Sequence, residues 1–207
     1  MTASVAPGAS NIEIVIIISL GADAHEYNAR RDEVGRVRPK CCPGCGGTHL
    51  GGHGWYGRWA IYFDQDVWVE IHRFLCKGCR KTLSLLPDFL HRHRHYALAM
   101  IEAVLRGRLE QGLPWSRLAP SQRSVRRWLG AFVTQAIGWQ TALLSALAQV
   151  QPLAGVLDPH GRESSAALAV LLLGAVFAAW LDPEYLAATA LRAVWRWGWN
   201  SGVGRLV

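Results

Sequence analysis

Four cysteines in two pairs carry the clearest chemistry in this 207-residue chain. Cys42-Pro43-Gly44-Cys45 is matched, thirty residues on, by Cys76-Lys77-Gly78-Cys79. A tight, Gly-containing turn between two cysteines aims both thiolates at one point and turns backbone N–H groups toward the sulfurs. Two such knuckles facing each other supply four soft ligands at tetrahedral geometry, the donor set of a structural zinc ion. Cys42, Cys45, Cys76 and Cys79 are therefore the candidate ligands of one structural zinc. Two disulfides or free thiols are the competing reading. It fits poorly with the same ligand spacing on two turns and with no recognisable secretory signal. Cys41 adjoins Cys42 and offers a Cys-x-x-x-Cys alternative, but Cys42 leaves a Pro-Gly knuckle like the Lys-Gly one. His49 and His53 follow the first pair; with four thiolates available they read as loop or strand residues.

The interval between the knuckles is too long for a short finger and suits a β-hairpin closed by metal at its open end, a zinc ribbon. Trp55 to Phe63 and Val67 to Leu75 are rich in aromatic and β-branched residues, and Asp64-Gln65-Asp66 between them reads as a turn. Val67, Val69 and Ile71 alternate with Trp68, Glu70 and His72, which places them on opposite faces. Trp55, Tyr56, Trp59, Tyr62, Phe63 and Trp68 are expected to form the small core of the ribbon. A stacking surface for bases is the alternative. Upstream, Ile12 to Leu20 reads as a buried strand. Asp23 as N-cap with Glu26 three residues on starts a short helix to about Arg30. Residues 30–40, with Arg30, Arg31, Arg36, Arg38 and Lys40, read as a basic linker, either solvated or touching phosphates.

Charge is uneven. Residues 1–129 hold 18 Lys and Arg against 11 Asp and Glu, whereas residues 130–207 hold 4 against 4. The whole net charge of +7 therefore lies in the cysteine-bearing part, which points to a polyanionic partner, most simply nucleic acid; with the modules beside it, the partner expected is double-stranded DNA. His91-Arg92-His93-Arg94-His95 reads as a phosphate-facing or solvated loop rather than a metal site. Ala97 to Arg108 reads as a helix, Gly112-Leu113-Pro114 as a break, Trp115 to Ala119 as a short helical turn, and Ser121 as the cap of a longer helix. On that helix Val125, Trp128, Leu129 and Phe132 recur at three- and four-residue steps and bury one face. Gln122, Arg123, Arg126 and Arg127 lie off it, as on the recognition helix of a helix-turn-helix.

The last third differs. Ala131 to Gln149 reads as a continuation of the long helix, and Pro152 with Asp158-Pro159-His160-Gly161 as a break. Ser164 to Leu181 is 18 residues without charge, at the threshold of a membrane span. Its alanine content and the abrupt Asp182-Pro183 stop favour a buried or interface helix, with a membrane helix as the alternative. Glu184 to about Trp199 reads as a last helix whose Trp195, Trp197 and Trp199 cannot all face one core. Glu13 interrupts the apolar N-terminal run and no basic stretch precedes it, so no cleavable signal is expected. Paired metal-type cysteines fit a reducing cytoplasm.

The arrangement CPGCGGTHL…HRFLCKGCRKTLSLLP resembles the zinc ribbons at the N-termini of insertion-sequence transposases and their accessory proteins. With IEIVIIISLGADAHEY before it and LSLLPDFL and SQRSVRRWL after it, the chain resembles a bacterial family of small transposon-associated proteins over residues 12–133. The resemblance implies DNA binding in a mobile-element context. One departure stands out: the first helix of the motif, between Leu113 and Ser121, is short, and Pro120 stands where a longer turn is usual.

These readings combine into an α+β protein. Its expected parts are an N-terminal strand, helix and basic linker (1–40), a zinc ribbon (41–90), a helix-turn-helix (91–133) and a mainly helical part (134–207) for self-association or a protein partner. The expected function is zinc-dependent, non-catalytic DNA binding in a transposition-related or regulatory context. Lys77, Arg80, Lys81, Arg92 and Arg94 would meet phosphates, and Gln122, Arg123, Arg126 and Arg127 would meet bases and phosphates. One alternative is a protein-interaction adaptor with a membrane-associated tail. Another is a transposase or nuclease, which needs several carboxylates for two metal ions; Asp64, Asp66, Asp158, Asp182 and Glu184 are available, but Asp64 and Asp66 sit in the expected turn.

Overall fold

A four-stranded sheet in the order β1-β4-β3-β2 is the frame on which everything else is mounted. The structure is a computed structural model that describes residues 14–92, 94–148, 170–171 and 190–201. Its strands are β1 (Ile14–Ile18), β2 (Leu50–Ile61), β3 (Asp66–Cys76) and β4 (Thr82–Pro87). Its helices are α1 (Ala24–Ala29), α2 (Arg31–Arg36), α3 (Leu98–Leu109), α4 (Gln122–Ala148) and α5 (Ala190–Ser201). A 3-10 turn, Trp115–Arg117, lies between α3 and α4. The α+β class expected from the residue pattern is the class observed.

β2 and β3 form the expected hairpin, with Leu50 opposite Cys76 at the open end and Ile61 opposite Asp66 at the tip. β4 turns back beside the cysteine end of β3, pairing Leu75 with Thr82 and Arg73 with Ser84. β1 then pairs with β4 in parallel, from Ile14–Leu83 to Ile18–Pro87. The β1-to-β4 crossover therefore contains α1, α2 and the whole hairpin. β4 has no place among the expected elements. Its run Leu83-Ser84-Leu85-Leu86-Pro87 does not alternate, because both of its faces are covered: Leu83 and Leu85 pack in one apolar cluster and Leu86 in another, and all five residues are buried.

The N-terminal cap is as expected. Asp23 accepts from the backbone N–H groups of His25 and Glu26, and the Glu26 carboxylate reaches back to the Ala22 N–H. Such a cap contributes about 1 kcal/mol. Gly21 before it has φ +80, and a Cβ there would meet the Tyr27 nitrogen at 2.6 Å. The basic linker is in part a helix. Asp32 and Glu33 occupy the first turn of α2, Arg36 the last, and buried Val34 anchors it. Arg31 is not a free phosphate-contacting arm: it pairs with Glu70 and lies over the Trp55 ring.

α3, α4 and α5 enclose an apolar core built from Leu98, Ile101, Leu105, Val125, Trp128, Phe132, Trp139, Leu143 and Trp195, among others. On α4 the buried positions Val125, Trp128, Phe132, Ala136, Trp139 and Leu143 continue the three- and four-residue steps well past residue 133. Leu129 beside them is half-buried. Trp139 packs on α5 where a Cβ at Gly198 would come 1.8 Å from its Cη2. Glu102 joins α3 to α5, accepting from the Leu191 N–H as well as from Arg106 of its own helix.

A buried ion pair fastens α5 to the sheet. Arg192 donates to Asp88, just past β4, and to the carbonyls of Gly21 and Ala22. Trp195 is fully buried against the His91 ring, 4.5 Å between centroids. The stretch 164–181 lies outside the described residues apart from Val170 and Leu171, which are helical and buried. Among the described residues no helix is long and apolar enough to cross a membrane.

Candidate functional site

Two turns of the same construction bring the cysteines together at the open end of the hairpin. In the first, the Gly46 N–H donates to the Cys42 carbonyl at 2.7 Å; in the second, the Arg80 N–H donates to the Cys76 carbonyl at 2.9 Å. The fifth residue of each turn is left-handed, Gly46 at φ 72 and Arg80 at φ 61. Glycine takes that conformation freely, whereas arginine is held in it. The Lys77 N–H donates to the His49 carbonyl and locks one turn against the other.

The four Sγ atoms of Cys42, Cys45, Cys76 and Cys79 all lie within 4.8 Å of one another. Cys42 and Cys79 are 3.7 Å apart, and Cys45 and Cys76 are 3.6 Å apart. A disulfide would need about 2.05 Å, so these are four separate thiols. A tetrahedron with metal–sulfur bonds of about 2.3 Å has edges of about 3.8 Å, so the donors fit a single ion. Gly47 and Gly78 line the cluster closely; a Cβ at Gly47 would meet the Cys45 sulfur at 3.3 Å. Cys42, Cys45, Cys76 and Cys79 thus form a site able to hold a metal ion. Cys41 is exposed and outside this group, as are His49 and His53.

The thiols are electrostatically uneven. N–H groups of Cys79 and Gly78, with neighbouring thiols, bring the Cys76 pKa down to about 7 against the cost of its burial. At Cys45 the Gly47 N–H acts in the same direction, but the Cys76, Cys79 and Cys42 thiols outweigh it and push the pKa up to about 11. Thiols this close cannot all ionise unless a cation offsets their repulsion, which is what a divalent metal supplies.

The predicted nucleic-acid contacts fall in two places. Lys77, Arg80 and Lys81 are exposed on and beside the second knuckle. Gln122, Arg123, Arg126 and Arg127 are exposed on the first turns of α4, opposite its buried stripe. Ser121 caps that end, its Oγ accepting from the Ser124 N–H. The helices enter the fold at the hairpin tip, where the Ala97 N–H donates to the Ile61 carbonyl. The knuckles are at the other end of β3, whose ten steps from Asp66 to Cys76 span about 33 Å.

Arg94 belongs with the α4 group: partial burial lowers its pKa, and the positive Arg127 adds to the effect. Arg92 is half-buried. His91 is buried, His95 exposed, and His93 lies outside the described residues. One organising residue lies outside the expected set. Trp115 has the Arg108 guanidinium 4.8 Å and the Arg126 guanidinium 5.3 Å from its ring centroid. It holds two cations in place, and Arg117 sits exposed in the same 3-10 turn. A Pro-Trp pair opening the short element was the available signal.

Of the carboxylates considered for catalysis, Asp64 and Asp66 are exposed at the hairpin tip, and Asp158, Asp182 and Glu184 lie outside the described residues. The cysteine cluster is the one group of potential metal ligands among the described residues.

Residues 42–128 match the model of a family described as a domain of unknown function, DUF6431. The matched segment starts at the first cysteine of the cluster and ends at Trp128 of α4, so it holds both the metal site and the exposed basic turns. No curated protein and no solved structure matches the chain.

Proposed function

We propose that the chain is a zinc-dependent, non-catalytic DNA-binding protein acting in a transposition-related or regulatory context. The observation that carries this reading is the start of α4. Val125 and Trp128 dock it on α3, and four polar or cationic side chains, Gln122, Arg123, Arg126 and Arg127, face outward together. A docked helix presenting such donors is built to enter a major groove, where arginine forks match guanine edges and phosphates. Arg108 and Arg126 over Trp115, together with Arg94, extend the positive surface. Zinc is the metal that four thiolates at these separations suit best, and a sphere filled by protein sulfur leaves no place for a reactive water. Its role is to hold the open end of the hairpin, and with it Lys77, Arg80 and Lys81, in a set position.

The test is a titration of a short duplex with zinc-loaded protein over a range of salt. Affinity should fall linearly in log–log form, and Arg126→Ala with Arg127→Ala should reduce the slope by about 2. Failure to retain any duplex at low salt refutes the reading.

A further inference from the structure

The outer face of the β2–β3 hairpin carries two aromatic–carboxylate pairs. Asp66, Trp68 and Glu70 alternate onto one face of β3; on β2 Trp59 stands opposite Trp68 and Gly57 opposite Glu70, with Trp55 two residues further along the same face, opposite His72. In the inner half, Trp55 and Glu70 share one cation: Arg31 lies 5.2 Å from the Trp55 ring centroid and 2.5 Å from the Glu70 carboxylate. In the outer half, Trp59 and Trp68 stand directly opposite each other, with ring centroids 5.0 Å apart and planes at 72°. The Trp68 indole lies across Gly57, where a Cβ would come 1.8 Å from its Cζ2. It is a floor lying on the sheet, and Trp59 is a wall beside it. Both are about half exposed, Trp59 at 45% and Trp68 at 48%. Among the described residues no cation lies over either ring.

Charge chooses the occupant. Asp66 precedes Trp68 on the same face, and Asp64 and exposed Phe63 are in the adjoining turn. The start of α1 adjoins the same tip, through His25 on Gln65 and the Ala24 N–H on the Tyr62 hydroxyl, and it brings Asp23 and Glu26. These carboxylates lie on the turn and on the start of α1, in a chain with net charge +7, while Arg94 and His95 adjoin the same tip through the His95 carbonyl, which accepts from the Ile61 N–H. Phosphates are disfavoured there, and the negative π faces of two indoles add to the attraction for a cation. A planar guanidinium fits a flat floor better than an ammonium does, as Arg31 shows on Trp55.

We propose that the Trp59–Trp68 corner, with Asp66, binds an arginine side chain of a partner protein. The proposal does not depend on DNA binding.

The test uses the zinc-loaded full chain and a fluorescent hexa-arginine peptide at physiological salt, read by polarisation. The control is the same peptide with citrulline, a neutral isostere, in place of arginine. Saturable binding is expected, weakened about tenfold or more by citrulline and about tenfold by Trp68→Ala or Asp66→Asn. Gly57→Ser, which displaces the ring without removing it, should weaken binding as well, with zinc content unchanged in every variant. Absence of saturable binding, equal binding of the citrulline peptide, or wild-type binding by both Trp68→Ala and Asp66→Asn overturns the proposal. So does binding of an oligothymidylate that Trp59→Ala and Trp68→Ala weaken while the arginine peptide is unaffected; that result makes the corner a base-stacking platform.

Discussion

Replacing Asp88 with asparagine removes the charge that fastens α5 to the sheet. Arg192 gives Asp88 Oδ1 two hydrogen bonds, from Nε at 2.9 Å and Nη2 at 2.5 Å. Its remaining donors reach the Ala22 carbonyl at 2.5 Å and the Gly21 carbonyl at 2.7 Å. Asp88 is fully buried; its other oxygen accepts from Ser19 Oγ and lies 3.8 Å from Arg196. An asparagine keeps an acceptor but leaves the guanidinium buried beside a neutral group. Breaking a buried pair from one side costs about 3–5 kcal/mol, and the retained hydrogen bond sets the expectation at the lower end. For a protein of this size each 1 kcal/mol moves Tm by about 2–4 °C, so Tm should fall by roughly 6–12 °C. The double variant Asp88→Asn with Arg192→Met removes the stranded charge and should recover part of the loss, giving a coupling of about 0.5–3 kcal/mol. Thermal melts at fixed zinc measure the loss, and amide exchange at residues 191–195 shows whether α5 loosens first. A single variant melting within about 2 °C of the wild type, or a double variant worse than the two singles combined, would falsify the view of this pair as the fastening of α5.

Three further outcomes follow from the geometry. Cys76→Ser should abolish binding of one zinc per chain, measured by elemental analysis, and a chelator should lower the melting temperature of the wild type but not of the variant. Arg80→Gly relaxes the left-handed residue of the second knuckle and should stabilise the zinc-loaded protein by about 1 kcal/mol; a lower Tm would show that Arg80 is not held against its preference. Trp128→Ala empties a fully buried site between α3 and α4, where the ring meets Tyr96 edge-on, and should cost about 3–5 kcal/mol in urea unfolding.

What could be read from residue order alone shares one property: its cause is local. The two knuckles are five-residue turns with their ligands and glycines in place. The Asp23 cap, the hairpin with its acidic turn, and the apolar stripe of α4 are likewise set by neighbours a few positions away. The class of the fold and the candidate metal ligands follow from these. Even here a strong composition signal misled. The arginines of 30–40 drew attention away from Val34, whose burial turns part of that stretch into α2.

The rest depended on which distant segments meet. β4 is a strand because β1, some seventy residues earlier, supplies its second neighbour, and no periodicity within Thr82–Pro87 announces that. The six hairpin aromatics look alike in sequence, yet Trp55, Tyr56 and Tyr62 pack on the core while Trp59, Phe63 and Trp68 face outward. What divides them is where α1 and α2 cross the sheet. Asp88 and Arg192 are 104 residues apart, and each alone would be an improbable charge to bury. Spacing can specify a turn or a helix face because those interactions close over a few residues. Pairing and burial between distant segments are decided only when the chain has folded and desolvated both partners at once.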